Sequence, residues 1–598
     1  MLDCFKYPFD SKLIQRKKKF LRKILLDQQG LIEKRIVVLG GSTTAEVVNM
    51  LELFLLDRGV KPIFYESEYG KYYESVFFNN EEIYKFKPDI IYVHTSNVNI
   101  TVFPKLSDDQ DQVNKKLDDE FYRFRSLWEK VLVEHECVVI QNNFELLPYR
   151  ELGNLDSVVI QGKNNFLLKL NSLMANYACS SKNFYINDIN YLSASIGLEK
   201  WHDRCLWYTS KYAMSFEAIT QNAHNLSAII CAIWGKTSKC LVLDLDNTLW
   251  GGEIGDDGVE GILIGNDNPQ GEAYCDFQKY IKKLHDRGII LSVCSKNNFD
   301  RAQLGFAHKD SVLKLDDFSS FVANWQPKSD NIDTITRELN IGLDSIVFID
   351  DNPAERNLVE SQLSSVRVPN LGRSIVDYIL HIDRNNFFEP ISISSDDLQR
   401  NLYYKSNKVR EVEVGKFKSF EDYLLSLRMQ AEVSSFSRPY LERITQLINK
   451  TNQYNLTTKR MTYGEIERLM YEKSSIAFYG RLKDKFGDNG LVSAIIGSVM
   501  EDSVNIDLWI MSCRVFKRTM EYVMFDELVR RCRAQNIKKI IGHYIPSPKN
   551  NLVCDHYHTI GFSLIYRDTN SVSSWEYNIP EYPCETNKFI EIVRGEDD

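Results

Sequence analysis

The feature that most limits what this chain can fold into is the run Lys239-Cys-Leu-Val-Leu-Asp244-Leu-Asp246-Asn247-Thr248. Its four consecutive apolar residues match a strand buried on both faces of a parallel sheet. Two carboxylates follow, two positions apart. Alternate side chains on a strand share a face, so Asp244 and Asp246 are expected to project towards one site. In open α/β sheets ligands bind at that end of the strands. Converging carboxylates repel each other unless a proton or a cation lies between them, and a hard cation such as Mg²⁺ suits oxygen ligands. The plainer reading is a helix cap or a turn, since acids at strand ends often serve as either.

Three more segments bear on that choice. Ile289-Ile-Leu-Ser-Val-Cys-Ser295-Lys296-Asn297-Asn298 is a second buried-type strand, ending in a hydroxyl and donor groups. Asn324-Trp-Gln-Pro-Lys328 sets a lysine in a loop before a helical segment. Ser345-Ile-Val-Phe-Ile-Asp350-Asp351-Asn352-Pro353 is a third apolar strand ending in two acids. Acid pair, hydroxyl, lysine and acid pair, in that order, resemble the four motifs of the haloacid dehalogenase (HAD) superfamily of phosphotransferases. The resemblance implies that Asp244 is a nucleophile forming an aspartyl-phosphate and that Asp246 is the general acid and base. It implies that Ser295 and Lys328 hold phosphoryl oxygens, with Lys296 and Asn297 as further phosphate-binding candidates. Mg²⁺ would be held by Asp244, the carbonyl of Asp246 and Asp350, with Asp351 and Asn352 in support. From the residues alone, Asn297 and Asn298 read equally well as turn residues.

At 598 residues the chain is too long for one core, and two to four domains are expected. A net charge of −9 leaves no basic excess for general nucleic-acid binding. The run Arg16-Lys17-Lys18-Lys19 reads as the solvated face of a helix. Twelve cysteines are scattered without C-x-x-C or zinc-ligand spacing, as in a reducing, cytoplasmic setting. The start of the sequence lacks the apolar run of an export signal, and no stretch approaches a membrane span, so no membrane insertion is expected.

Taken in order, residues 1–190 alternate strand and helix. Arg35–Ser42, Asp89–Asn97, Cys137–Asn142 and Asn183–Asp188 mark strands of a parallel sheet. Gly40-Gly41-Ser42 resembles the first block of SGNH hydrolases, but those enzymes also need a late Asp-x-x-His. Here Asp203 is followed three positions on by Leu206, and His202 precedes the acid. With no base in place Ser42 is not activated, which points to a scaffold or docking domain, with Ser42 capping the helix that follows. Residues 191–235 read as a helical connector, 236–385 as the HAD-like domain, 386–425 as a helical linker and 426–598 as a third domain. The gaps Asp246–Tyr274 and Lys328–Asp350 are too short for a separate cap. An uncapped site suits a large or carrier-tethered substrate; the other reading is a small-molecule site closed by a Gly251–Gly271 flap.

Leu243–Gly258, Cys294–Asn298, Asn324–Lys328 and Phe348-Ile-Asp-Asp-Asn-Pro-Ala-Glu-Arg356 together resemble the FkbH-like family, HAD subfamily IIIC. The resemblance extends to both flanks and implies three domains. These are an SGNH/flavodoxin-like parallel sheet, a Rossmann-like HAD domain without a large cap and a GNAT-like α+β domain. It implies that D-1,3-bisphosphoglycerate gives up its glyceryl group to an acyl-carrier-protein thiol, with loss of phosphate. Related proteins occur in polysaccharide gene clusters. This leaves a sugar- or glycerol-type phosphate of surface-polysaccharide synthesis as the alternative substrate, and a non-catalytic scaffold as a third reading.

The GNAT likeness rests on Thr451–Thr458, Phe486–Leu491, Ile506–Val515 and Tyr557–Phe562. GNAT enzymes seat a pyrophosphate on an Arg/Gln-x-x-Gly-x-Gly/Ala turn. Arg514-Val-Phe-Lys517-Arg518-Thr519 fills both small positions, which disfavours close backbone approach. Lys517 and Arg518 are left either to attract an anion by charge or to start a solvated helix. If the glyceryl group passes through an enzyme thioester, Cys513 and Cys294 are the candidates, each beside a motif at a strand end. The alternatives are buried core thiols and direct transfer to the carrier.

Overall fold

The computed structural model describes residues 3–28, 30–78, 80–582 and 585–594. The chain divides into two compact units. One runs to Ile233 and takes in Thr462–Glu465; the other comprises Trp234–Met461 and the chain from Ile466.

In the first unit five strands form one parallel sheet in the order β2-β1-β3-β4-β5. They are β1 (Ile32–Gly40), β2 (Val60–Glu66), β3 (Ile90–His94), β4 (Val138–Asn142) and β5 (Phe184–Asn187). Continuous apolar runs suit strands covered on both faces, and β3 and β4 are buried throughout. The helices over 189–233 pack into this unit: His224 meets the ring of Phe54 and lies 2.9 Å from Arg58. The turn after β1 needs a glycine, because a Cβ on Gly41 would sit 2.5 Å from the Asn99 amide. Ser42 is buried but caps nothing. The helix Ala45–Asp57 starts two residues later than the turn suggests, with Thr44 at its N-cap. Asp203 caps the helix Arg204–Ser210 by accepting from the Leu206 N–H.

The second unit holds two sheets. Strands β6 (Cys240–Leu243), β7 (Ile290–Ser295), β8 (Phe318–Ala323) and β9 (Ile346–Ile349) form a parallel sheet ordered β8-β7-β6-β9. Alternation along β6 sends Leu241 and Leu243 into one core and Cys240 and Val242 into the other, as a doubly covered strand requires. Among the described residues no large cap interrupts the sheet; between Gly251 and Gly271 the chain makes the short helix Ile254–Gly261.

The other sheet has eight strands in the order β15-β16-β14-β13-β12-β11-β10-β17. They are β10 (Met429–Ser435), β11 (Ser475–Asp484), β12 (Gly487–Met500), β13 (Ser503–Met511), β14 (Lys539–Tyr544), β15 (Ser563–Arg567), β16 (Ser573–Asn578) and β17 (Ile590–Arg594). The mixed pairing is that of an α+β domain. Strands β13 and β14 pair only at Ser503–Asn505 and then part. The gap is filled by the chain itself. The Leu456 N–H donates to the Trp509 carbonyl, Met511 N–H to Tyr454, and Ile545 N–H to Leu456, at 3.2, 3.1 and 2.8 Å.

Candidate functional site

Strand β6 ends at Leu243, so Asp244 and Asp246 lie in the turn beyond it, where Asn247 takes a left-handed φ of 55°. Released from strand alternation, the two carboxylates acquire different neighbours. Asp244 converges with Asp350 and Asp351, which follow β9: carboxylate oxygens of these three lie within 4.8 Å of one another. The side chain of Asp246 stands apart from that group. Its Oδ1 accepts from Trp250 Nε1 at 2.9 Å and from the Ile254 N–H at 3.0 Å, and its Oδ2 accepts from Asn297 Nδ2 at 2.8 Å. Both acids stand at the end of β6, near enough for Asp244 to raise Asp246, but the carboxylates that converge with Asp244 are those following β9.

Lys328, the first residue of the helix Lys328–Leu339, is buried against this cluster. Its ammonium lies 3.0 Å from Asp244 Oδ1 and also bonds Asp350 Oδ2. Burial opposes the charged lysine, but Asp244 and Asp350 outweigh it and hold its pKa above the ordinary range. Burial pushes the fully buried Asp350 carboxyl up, Asp244 adds to the rise and Lys328 opposes it. Asp351 is raised by burial and then by Asp244. Burial also raises Asp246, while its bonds from Ile254 and Trp250 pull the other way.

The remaining expected residues fall around this centre. Ser295 closes β7 and is buried. Lys296 is paired with Glu355 at 2.6 Å, so its charge is engaged by protein. Asn297 orients Asp246, and Asn298 caps the helix Phe299–Leu304. Asn352 donates its N–H to Asp350 Oδ1 at 2.9 Å and caps the helix Pro353–Gln362. Cys294 points into the second core, where burial raises its thiol far above the ordinary value; it is a packing residue. Cys513 lies past the end of β13 in the other sheet's domain, away from the acid cluster. Arg518 is not free for an anion. It is buried and bonded to Asp484, Asn489 and Asn407, while Lys517 is exposed.

Comparison with known proteins now has a site to bear on. The FkbH N-terminal domain family matches residues 35–231. A crystal structure of the N-terminal part of the protein BF1531 from Bacteroides fragilis, containing a phosphatase domain complexed with Mg, is 34% identical. It matches with a TM-score of 0.58, covering 63% of this chain and 99% of that one. The chain belongs to the FkbH-like family. Two acetyltransferases match the FkbH-like chain only slightly. The ribosomal-protein-S18-alanine N-acetyltransferase from Escherichia coli is 11% identical, with a TM-score of 0.20 over 27% of this chain and 100% of that one. The spermidine N-acetyltransferase from Vibrio cholerae, in complex with CoA and spermine, is 15% identical, with a TM-score of 0.21 over 25% of this chain and 96% of that one. Likenesses so slight carry no argument. Among curated proteins nothing matches.

The donor set of this FkbH-like chain fits a hard divalent cation. Three carboxylates converge, all ligands are oxygens, and among the described residues Lys328 alone is ion-paired with them, which leaves the cluster short of positive charge. Sequence reasoning missed three supports. Thr248 Oγ1 accepts from the Asp351 N–H at 3.1 Å. Arg356 binds the carbonyls of Asp350 and Asp351 at 2.6 and 2.7 Å. Trp250 holds Asp246. All three lie within the motifs, but their roles depend on a turn geometry that residue types do not specify. Among the described residues no helix is long and apolar enough to cross a membrane.

Proposed function

We propose that this FkbH-like enzyme is a Mg²⁺-dependent HAD phosphotransferase and phosphatase acting on a phosphorylated acyl phosphate such as D-1,3-bisphosphoglycerate. In this reading the glyceryl group passes to the thiol of an acyl carrier protein in the cytoplasm, and the ester phosphate is removed through an aspartyl-phosphate. One observation carries the phosphotransfer part: Asp244, Asp350, Asp351 and Lys328 are gathered at the ends of β6 and β9. A scaffold has no use for crowding two buried acids, a half-buried one and a buried lysine together.

Asp244, Asp350 and the Asp246 carbonyl would hold Mg²⁺, with Asp351 and Asn352 in support. The cation would supply charge for the phosphoryl oxygens. Asp244 Oδ2 attacks phosphorus, since Oδ1 is engaged by Lys328. The P–O bond to the leaving alkoxide breaks, and Asp246 gives that oxygen a proton; burial favours the protonated form it needs. Asp246 then takes a proton from water, which hydrolyses the aspartyl-phosphate. Asn297 and Trp250 fix the carboxyl that performs both transfers. Lys328 and Ser295 offset phosphoryl charge.

The acyl step is separate: the carrier thiolate attacks the carbonyl carbon of the acyl phosphate, the C–O bond to phosphorus breaks and inorganic phosphate leaves. Cys513 does not share the acid cluster's site, which favours direct transfer to the carrier over a thioester on Cys513 near the attacked phosphorus.

The test is incubation with 1,3-bisphosphoglycerate and magnesium, with and without a carrier protein. A glyceryl mass on the carrier, and at least a thousandfold loss of phosphate release in Asp244→Asn, are expected. Full phosphate release by that variant would overturn the phosphotransfer reading. An unmodified carrier beside intact phosphate release would overturn the acyl transfer alone and leave a sugar- or glycerol-phosphate substrate.

A further inference from the structure

A cavity of about 390 Å³ lies within the second unit, between the β6–β9 domain and the eight-stranded domain. It is at the other end of the strands from the acid cluster. Lys239 and Ser345, which line it, immediately precede β6 and β9, whereas Asp244 and Asp350 follow them. Five residue steps of extended chain carry Lys239 to Asp244, about 16 Å at the usual rise. The cavity is thus a separate place, and its volume is within the range of small-ligand sites.

Its walls carry the opposite charge to the acid cluster. Lys239, Arg400, Arg443, Lys450, Arg514 and Lys549 all line it. The carboxylates that answer them are three. Asp344 pairs with Lys549, Asp397 with Arg400 and Lys450, and Asp396 with Arg443 at 3.0 Å and Arg514 at 3.7 Å. Three positive charges are left over. Arg514 Nη1 is buried with no hydrogen-bond acceptor, Asp396 Oδ2 being 3.7 Å away, and Arg443 Nε makes only a poorly directed contact with the same oxygen at 3.0 Å. Arg514 as a whole is only 9% exposed. Unmet guanidinium donors in a buried place are costly unless a ligand takes them. Electrostatics agrees with this geometry. Burial, and then the charge of Arg514, brings Arg443 down to about 10, and burial brings Lys450 down to about 8 despite Asp397. Both stay charged at neutral pH, crowded by their neighbours.

We infer that this cavity is a second anion-binding site, taking a compact polyanion of about three negative charges. That charge is carried by a pyrophosphate or by a phosphate ester bearing a carboxylate. Buried arginines suit such a ligand because each guanidinium presents paired donors to phosphate or carboxylate oxygens. The inference is independent of the chemistry at Asp244.

The test is calorimetric titration of the full-length protein, in excess chelator, with inorganic pyrophosphate, 3-phosphoglycerate and inorganic phosphate. One equivalent of pyrophosphate or 3-phosphoglycerate is expected to bind, each more tightly than phosphate. The tighter of the two tells a diphosphate ligand from a phosphorylated acid. Asp244→Asn should bind as the wild type does. Lys450→Gln should bind at least tenfold more weakly, and Lys549→Gln, at the half-exposed rim, about threefold more weakly. Circular dichroism checks that each variant is folded, and Lys549→Gln keeps the test open if Lys450→Gln is not. No binding to the wild type would overturn the inference, as would binding that Asp244→Asn abolishes and Lys549→Gln leaves unchanged.

Discussion

Replacing Lys328 by methionine removes the one lysine that, among the described residues, is ion-paired with the acid cluster, while keeping most of the side chain's volume. Its ammonium is 3.0 Å from Asp244 Oδ1 and also bonds Asp350. At that distance and an effective dielectric of about 20, one such pair carries roughly 5 kcal/mol of gross attraction. Dehydrating the ammonium offsets part of it, and deleting one partner of a buried pair typically costs about 3–5 kcal/mol. The deficit depends on pH with a definite sign. A carboxyl raised on folding contributes stability that is complete below its unfolded pKa of 3.8 and is lost as pH rises through the folded value. Without the ammonium Asp350 rises further, so the deficit of Lys328→Met is small near pH 4 and widest above neutrality. Thermal melts in chelator at pH 5 and pH 8 would show the central transition lowered by several degrees at pH 8 and by less at pH 5. Added magnesium should restore much of the midpoint but not phosphate release, because the cation replaces the lysine's charge and not its contact with a phosphoryl oxygen. Equal midpoints at pH 8, or a variant with wild-type turnover, would refute the reasoning.

Three further outcomes follow from particular contacts. Trp250→Phe loses the indole bond to Asp246 at 2.9 Å, and kcat should fall about tenfold with KM little changed, as read from steady-state phosphate release. Cys294→Ala removes a core thiol, and turnover should stay within about twofold while the melting midpoint falls by a few degrees. Glu145 in the first unit is fully buried, and burial lifts its carboxyl from 4.5 to about 7. The stability this group gives is complete below pH 4.5 and is lost as pH rises through 7. The gap is worth at most about 3 kcal/mol, so Glu145→Gln should melt higher than wild type at pH 8 and equally at pH 4.

The sheets were legible because apolar runs such as Leu241–Leu243 and Ile346–Ile349 can be satisfied only by burial on both faces. The acids, the lysine and the order of their strands were legible for the same reason, since each follows such a run or opens the next helix. What the residues did not disclose was pairing across chain distance. That Asp244 meets Asp350 and Asp351 was implied by the family resemblance and not by the residues alone, because it depends on β6 lying beside β9. The engagement of Lys296 by Glu355, and of Arg518 by Asp484, is invisible for the same reason. A cation in a motif reads as available until its partner, here 59 or 34 residues away, is located. Ser42 failed as a cap because the helix starts two residues later than its glycine turn suggests.

The plug at Tyr454–Leu456 decides what the gap between β13 and β14 can admit. No extended ligand can lie along the parted edges while this stretch holds them. The three main-chain bonds that stitch the plug to Trp509, Met511 and Ile545 would have to break first, and the stretch would need somewhere else to go. Because main-chain groups make the seam, exchanging side chains on the facing strands leaves it closed.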